Sequence, residues 1–136
     1  MPVTPYLIFN GRCEEALGFY EKAIGAKVDA LMRFKDSPEP PPPDCAPADP
    51  SKIMHSSFKV GGTTIMATDG MTPNGGPKFE GFTLTIHAKD ETEADRLFAA
   101  LSQGGQVQMP LGKTFFAKRF GMVADKFGVS WMLIVE

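Results

Sequence analysis

"IMHSSFKVGGTTIMATD", residues 53–69, decides the fold. Two runs rich in apolar and β-branched residues flank Gly61-Gly62, and a two-residue glycine connection between such runs makes a β-hairpin, because glycine tolerates the positive φ of tight hairpin turns. The strands on either side are therefore antiparallel. Within the first run Ile53, His55 and Ser57 share one parity, while Met54, Ser56, Phe58 and Val60 share the other. The larger apolar set belongs beneath a helix, which turns His55 and Ser57 to the opposite face.

Working upstream, "VTPYLIF" (3–9) has strand composition and leads into "NGRCEEALGFYEKAIGA" (10–26), where Ala16, Leu17, Phe19, Tyr20, Ala23 and Ile24 recur at helical spacing. Gly25 stops that helix, and "AKVDALMRF" (26–34) alternates as a second strand. The proline-rich segment 36–50 cannot be regular structure, because proline removes backbone donors. It reads as a loop or arm. The first half is thus β-α-β-β-β.

Downstream, 70–80 has loop composition, "GFTLTIHA" (81–88) is a strand, and "KDETEADRLFAALSQ" (89–103) is a helix with Ala94, Leu97, Phe98 and Leu101 on one face. Asp90 or Thr92 can cap its start, and Gly104-Gly105 ends it. Three strands follow, at 106–110, 114–125 and 129–135. The pattern predicts one α+β domain over 1–136, built from two βαβββ modules (1–69 and 81–136, with a linker at 70–80) whose curved mixed sheets surround a cup.

Fourteen basic and sixteen acidic residues give a net charge of -2 with no block of one sign. That distribution does not build the basic surface nucleic acid demands. Cys13 and Cys45 lack paired spacing and read as free thiols of a reducing compartment, so a cytoplasmic location is expected. The start "MPVTPYLIFN" lacks the features of a signal peptide, and no apolar run reaches the length of a membrane span. The expected partners are a small organic molecule and, through exposed edge strands, a second copy of the chain as a homodimer; nucleic acid and membrane are not expected.

"NGRCEEALGFYEKAIGAKV" (10–28), "GGTTIMATD" (61–69) and "FGMVADKFGVSWMLIV" (120–135) resemble the vicinal oxygen chelate superfamily, which includes glyoxalase I, extradiol dioxygenases and bleomycin-resistance proteins. The run "DKFGVSWML" (125–133) is similar to its PhnB-like branch, often labelled a 3-demethylubiquinone methyltransferase. The resemblance covers nearly the whole chain and implies the paired βαβββ fold. It also implies that metal-binding members carry one His or Glu on the first and last strands of each module. Those positions fall on Pro5, Met66, Thr83 and Met132, none of which suits a catalytic divalent ion. Glu136 shares a face with Met132 but lies about 13 Å further along a strand. No cofactor is expected, and a divalent metal is disfavoured. Methyl transfer gains nothing from the residues either, because the glycine-rich stretches join antiparallel strands rather than a parallel strand and a helix.

The candidate ligand-binding residues are His55, Ser57, Met66, Thr83, Phe116, Phe120 and Met132. A lone His without a placed carboxylate reads more readily as a structural, hydrogen-bonded imidazole than as an acid-base group. His87, at a strand end, reads as surface. Phe115, Phe116, Phe120 and Phe127, with Lys118 and Arg119 between them, make either an aromatic wall or ordinary core, and strand parity sets Phe116 and Phe120 on one side. Asp69 and Asp125 read as turn-fixing carboxylates, and Cys13 as surface or core filler near a helix start that favours a thiolate. Two functions remain open. One is a binding or sequestration protein for a small organic ligand; the other is a lyase, isomerase or dioxygenase, metal-assisted or using His55, so whether the chain is an enzyme is undecided. A purely dimeric scaffold is a third reading.

Overall fold

The computed structural model describes residues 1, 3–36, 50–70 and 78–136. The chain divides into two compact units, Met1–Pro77 and Lys78–Glu136. Most of the proline-rich segment, with Cys45, and most of the expected linker lie outside the described residues.

The first unit runs β1 (Tyr6–Ile8), α1 (Cys13–Ile24), β2 (Lys27–Arg33), a 3-10 turn (Phe34–Asp36), β3 (Ile53–Val60) and β4 (Thr63–Thr68). The strands form one mixed sheet in the order β1-β4-β3-β2, with β1 parallel to β4 and the other pairs antiparallel. The hairpin closes at Gly61-Gly62 with Gly61 at φ 60, the conformation that calls for glycine there. Helix α1 ends at Gly25, whose N–H bonds to the Tyr20 carbonyl. Cys13, Ala16, Leu17, Tyr20 and Ala23 form its buried face. Tyr20 stacks on Phe58 with ring centroids 5.7 Å apart, and Leu7, Ala67 and Ser56 form a buried row across three strands. The parity expected for Ser56 and Phe58 therefore holds.

Ile53 departs from that parity, since it is fully buried while His55 is half-buried. Arg33 pairs with Ile53 and Met32 with His55, so Met54 is an extra residue in β3. Such a bulge interrupts the alternation of side chains.

Asp69 also acts at longer range than the expected turn. The residue at the start of α1, Arg12, offers no side-chain cap. Instead the buried Asp69 carboxylate accepts from Cys13 N and from Ile53 N, each at 2.7 Å, and so joins the helix start to the β3 start. Thr68 takes over the turn, its hydroxyl accepting from Gly70 N at 3.1 Å.

Cys13 is core. Its sulfur lies 3.7 Å from the Ser56 hydroxyl, which donates to the Ala67 carbonyl. Burial pushes the thiol up to about 12, aided by the neighbouring Asp69 and Glu14 carboxylates and opposed by the Ser56 contact. The helix start therefore does not yield a thiolate, because desolvation outweighs it. The folded state holds the proton more tightly than an unfolded cysteine, whose value is 9.0. Stability from this site is thus complete below about pH 9 and is lost as pH rises towards 12, with a slope of at most ~1.4 kcal/mol per pH unit. Denaturant midpoints of the wild type and Cys13→Ala measured across that window should converge as pH rises. Parallel curves would show that the thiol ionises freely in the folded chain.

The second unit runs β5 (Leu84–His87), α2 (Glu91–Ser102), β6 (Gln106–Gly112), β7 (Arg119–Ala124) and β8 (Ser130–Val135), with strand order β5-β8-β7-β6. Strand β5 is parallel to β8, and the remaining pairs are antiparallel. Asp90 caps α2 by accepting from Glu93 N at 2.8 Å, and the Glu93 carboxylate accepts from Lys89 N at 3.1 Å. The first bond satisfies a helix-end donor, and the second ties the residue before the cap to the helix's first turn. Ala94, Leu97 and Leu101 are buried, as are Val123, Trp131 and Leu133 of the sheet. Gly105 is required by close approach, since a Cβ there would overlap the Ala124 carbonyl oxygen.

The long strand expected over 114–125 is shorter, beginning at Arg119. Thr114 breaks it. Its N–H donates to the Ala117 carbonyl at 3.0 Å, while its hydroxyl accepts from Phe116 N at 3.3 Å and Ala117 N at 3.1 Å. A threonine hydroxyl that captures local donors competes with the strand ladder. Phe115 and Phe116 consequently lie in a turn, and Phe115 is fully exposed rather than core.

Candidate functional site

In the first unit, the sheet face turned away from α1 carries a row set by register: Tyr6, Met66, Ser57 and Ala30 on four successive strands. His55 stands opposite Met32. Tyr6 on β1 reaches over β4, so that its hydroxyl lies 3.1 Å from His55 Nδ1 and the ring centroids are 5.7 Å apart. When the phenol donates to Nδ1, the imidazole proton sits on Nε2 and is available to an acceptor. Around this pair, Tyr6 is 46% exposed, Ile8 38% and Met32 40%. The face thus offers an oriented imidazole and the Ser57 hydroxyl in a largely apolar setting.

His55 and Ser57 share the face that the strand pattern implied, and Met66, a position given by the family resemblance, stands opposite Ser57. Tyr6 was not singled out in the sequence, although it alternates with the buried Leu7 and Phe9. That alternation is the signal that places it on the open face. Pro5, one residue earlier, contributes its carbonyl to the ladder by accepting from Met66 N at 2.9 Å.

In the second unit the equivalent register sets Thr85, Met132, Met122 and Met109 in one row. The Thr85 hydroxyl lies 3.8 Å from the Met132 sulfur. Thr83 precedes β5 and is half-buried, so it is Thr85 that stands beside Met132. Phe120 occupies the next row, opposite Ile134. Phe116 meets it edge to face at 5.1 Å, an encounter made by the Thr114 turn rather than by strand parity. His87 lies at the end of β5, exposed, with Nδ1 3.8 Å from a Glu136 carboxylate oxygen.

The positions paired in register are a phenol with a thioether (Tyr6 and Met66) and a hydroxyl with a thioether (Thr85 and Met132). First-row divalent metals in oxygen- and nitrogen-donor centres call for imidazole and carboxylate instead. Among the described residues no three His, Cys, Asp or Glu side chains gather as a ligand set.

Asp125 is structural. One carboxylate oxygen accepts from Phe127 N at 2.9 Å and Val129 N at 3.1 Å, and the other accepts from Trp131 Nε1 at 2.9 Å. The turn-fixing role is present, with a buried indole added to it. On the surface, Glu14 forms a two-pronged pair with Arg33, whose guanidinium hydrogen bonds hold the Glu14 carboxyl below its usual range.

Three solved structures share this architecture. Protein PA1353 from Pseudomonas aeruginosa is 42% identical, with a TM-score of 0.88 over 100% of this chain and 98% of its own. The PhnB protein from Bacillus cereus is 28% identical, with a TM-score of 0.82 over 100% of both chains. A glyoxylase/bleomycin resistance protein/dioxygenase domain from Frankia, 15% identical, shares the fold, with a TM-score of 0.69 over 99% of this chain and 91% of its own. Residues 1–134 match the family model described as 3-demethylubiquinone-9 3-methyltransferase. The chain belongs to that family, the PhnB-like branch of the glyoxalase/bleomycin-resistance fold.

Proposed function

We propose that the chain binds a small organic molecule on the first unit's open sheet face, with the polar group held by His55 and Ser57 and the apolar body resting on Tyr6, Ile8, Met32 and Met66. The Tyr6–His55 hydrogen bond carries this reading. It spans an intervening strand and orients an imidazole on a face that is otherwise apolar and partly open. Pockets for small molecules commonly combine such an apolar lining with a few oriented polar groups. Binding needs only that geometry. Catalysis would need a further group to accept or deliver a second proton or to hold developing charge, and among the described residues no carboxylate bonds to the pair.

Methyl transfer, which the family description names, gains no support from the described residues of either unit. Most strand pairs are antiparallel, and the Gly61-Gly62 turn joins two antiparallel strands rather than opening a helix over a cofactor's phosphate or carboxylate.

The test is a small-molecule fragment screen by saturation-transfer NMR, followed by titration of the best fragment against variants. His55→Ala should weaken binding by roughly 5- to 100-fold, the equivalent of losing one hydrogen bond to a polar group. Tyr6→Phe keeps the ring but frees the imidazole and should weaken it less. Both should melt close to the wild type. A lower melting temperature for His55→Ala with unchanged affinity would make this histidine a structural one, and fragment turnover abolished by either variant would replace binding by acid-base catalysis.

A further inference from the structure

Met122 and Met132 stand opposite each other on β7 and β8, and Met109 of β6 pairs with Met122 at a point where the β6 register shifts on both sides of it. Residues directly opposite on such strands have Cβ atoms about 4.5–5.5 Å apart. A point above the central Met122 is therefore within reach of all three flexible side chains, each of which carries its sulfur two bonds beyond Cβ. The row is not sealed core, since Met109 is 44% exposed and the other two are half-buried. Leucine would serve ordinary packing as well, so the chemistry of sulfur is what distinguishes this row.

The neighbours sharpen the selectivity. Thr85 ends the row with a neutral hydroxyl against Met132. The row on one side holds Ile134, Phe120 and Gly112, with His87 at its far end beside Glu136. On the other side Ser130 and Gln108 hydrogen-bond to each other at 3.4 Å. No carboxylate or imidazole belongs to the methionine row itself. Neutral thioethers favour soft ions over magnesium, calcium or zinc. Phe120, two residues from Met122 on the same strand and the same face, adds an aromatic ring beside which positive charge is tolerated.

We propose that Met109, Met122 and Met132 form a binding site for a soft monovalent cation, copper(I), with silver(I) as its redox-inert probe. The site involves none of the residues of the Tyr6–His55 face, so either can fail without the other.

The experiment uses the full chain carrying Cys45→Ser, which removes a thiol that would compete for the ion, with carbon-13 labels on the methionine methyl groups. One equivalent of silver(I) should shift the methyl signals of Met109, Met122 and Met132 and leave those of Met32, Met54 and Met66 in place. Zinc should shift none of them. Competition with a chromophoric copper(I) chelator should show Met122→Leu and, independently, Met109→Leu weakening binding by at least about tenfold. The second variant lies on the exposed edge strand, so it reports even if the first disturbs folding. Equal affinity in folded Met109→Leu, indiscriminate shifts of all methionines, or no shift with excess silver(I) would overturn the site.

Discussion

Asp69→Ala should lower folding stability by about 3–5 kcal/mol, the range for removing one partner of a buried charged network. Its carboxylate accepts from the first amide of α1 and the first amide of β3, each at 2.7 Å. Neither donor has a ready substitute. Arg12, the residue before the helix, carries a guanidinium that can only donate and so cannot accept from the helix-start amide, and Ile53 is fully buried. Alanine leaves both N–H groups facing a small void. Asp69→Asn should fall between, because one amide oxygen can satisfy one donor while its NH2 opposes the other. Denaturant midpoints of the three proteins test this order. A loss under about 1 kcal/mol for alanine would show that water replaces the carboxylate without penalty.

Asp125→Ala should cost a similar amount, about 3–4 kcal/mol, with a spectroscopic signature. Three donors converge on this buried carboxylate, two from the 127–129 turn and one from the indole of Trp131, the chain's single tryptophan. Removing it takes the carboxylate partner from the indole N–H and loosens the turn that feeds β8. Tryptophan emission should therefore change in the native state, before any unfolding. Asp125→Asn can keep the turn bonds through its oxygen while turning its NH2 towards the indole, so it should retain more stability yet still perturb the emission. Native emission identical to the wild type in Asp125→Ala would contradict the indole contact.

Both carboxylates show how far local reading extends. Asp125 was legible because its backbone partners are two and four residues away, and an Asp-x-x-Gly segment forms such a turn by itself. Asp69 sits before Gly70 in the same way, yet its partners lie 56 and 16 residues away. Sequence proximity suggested a turn, and tertiary packing assigned the carboxylate to a helix start and a strand start instead.

The same division runs through the fold and the candidate site. Sequence alone determined the βαβββ pattern, the glycine hairpin, the stop at Gly25 and the parity of His55 against Phe58, and it narrowed the second helix's cap to Asp90 or Thr92, of which the structure uses Asp90, because each depends on backbone preferences or side-chain periodicity within a few residues. Tertiary structure alone decided which residues meet. The Tyr6–His55 bond joins positions 49 apart across an intervening strand, and the three methionines align only once β6, β7 and β8 adopt their register. It also placed the bulge that buries Ile53 and the Thr114 turn that presents Phe116 to Phe120. Strand order and register are chosen by the burial of whole faces and by where a side chain captures a backbone donor, and neither is written in the spacing of a single strand.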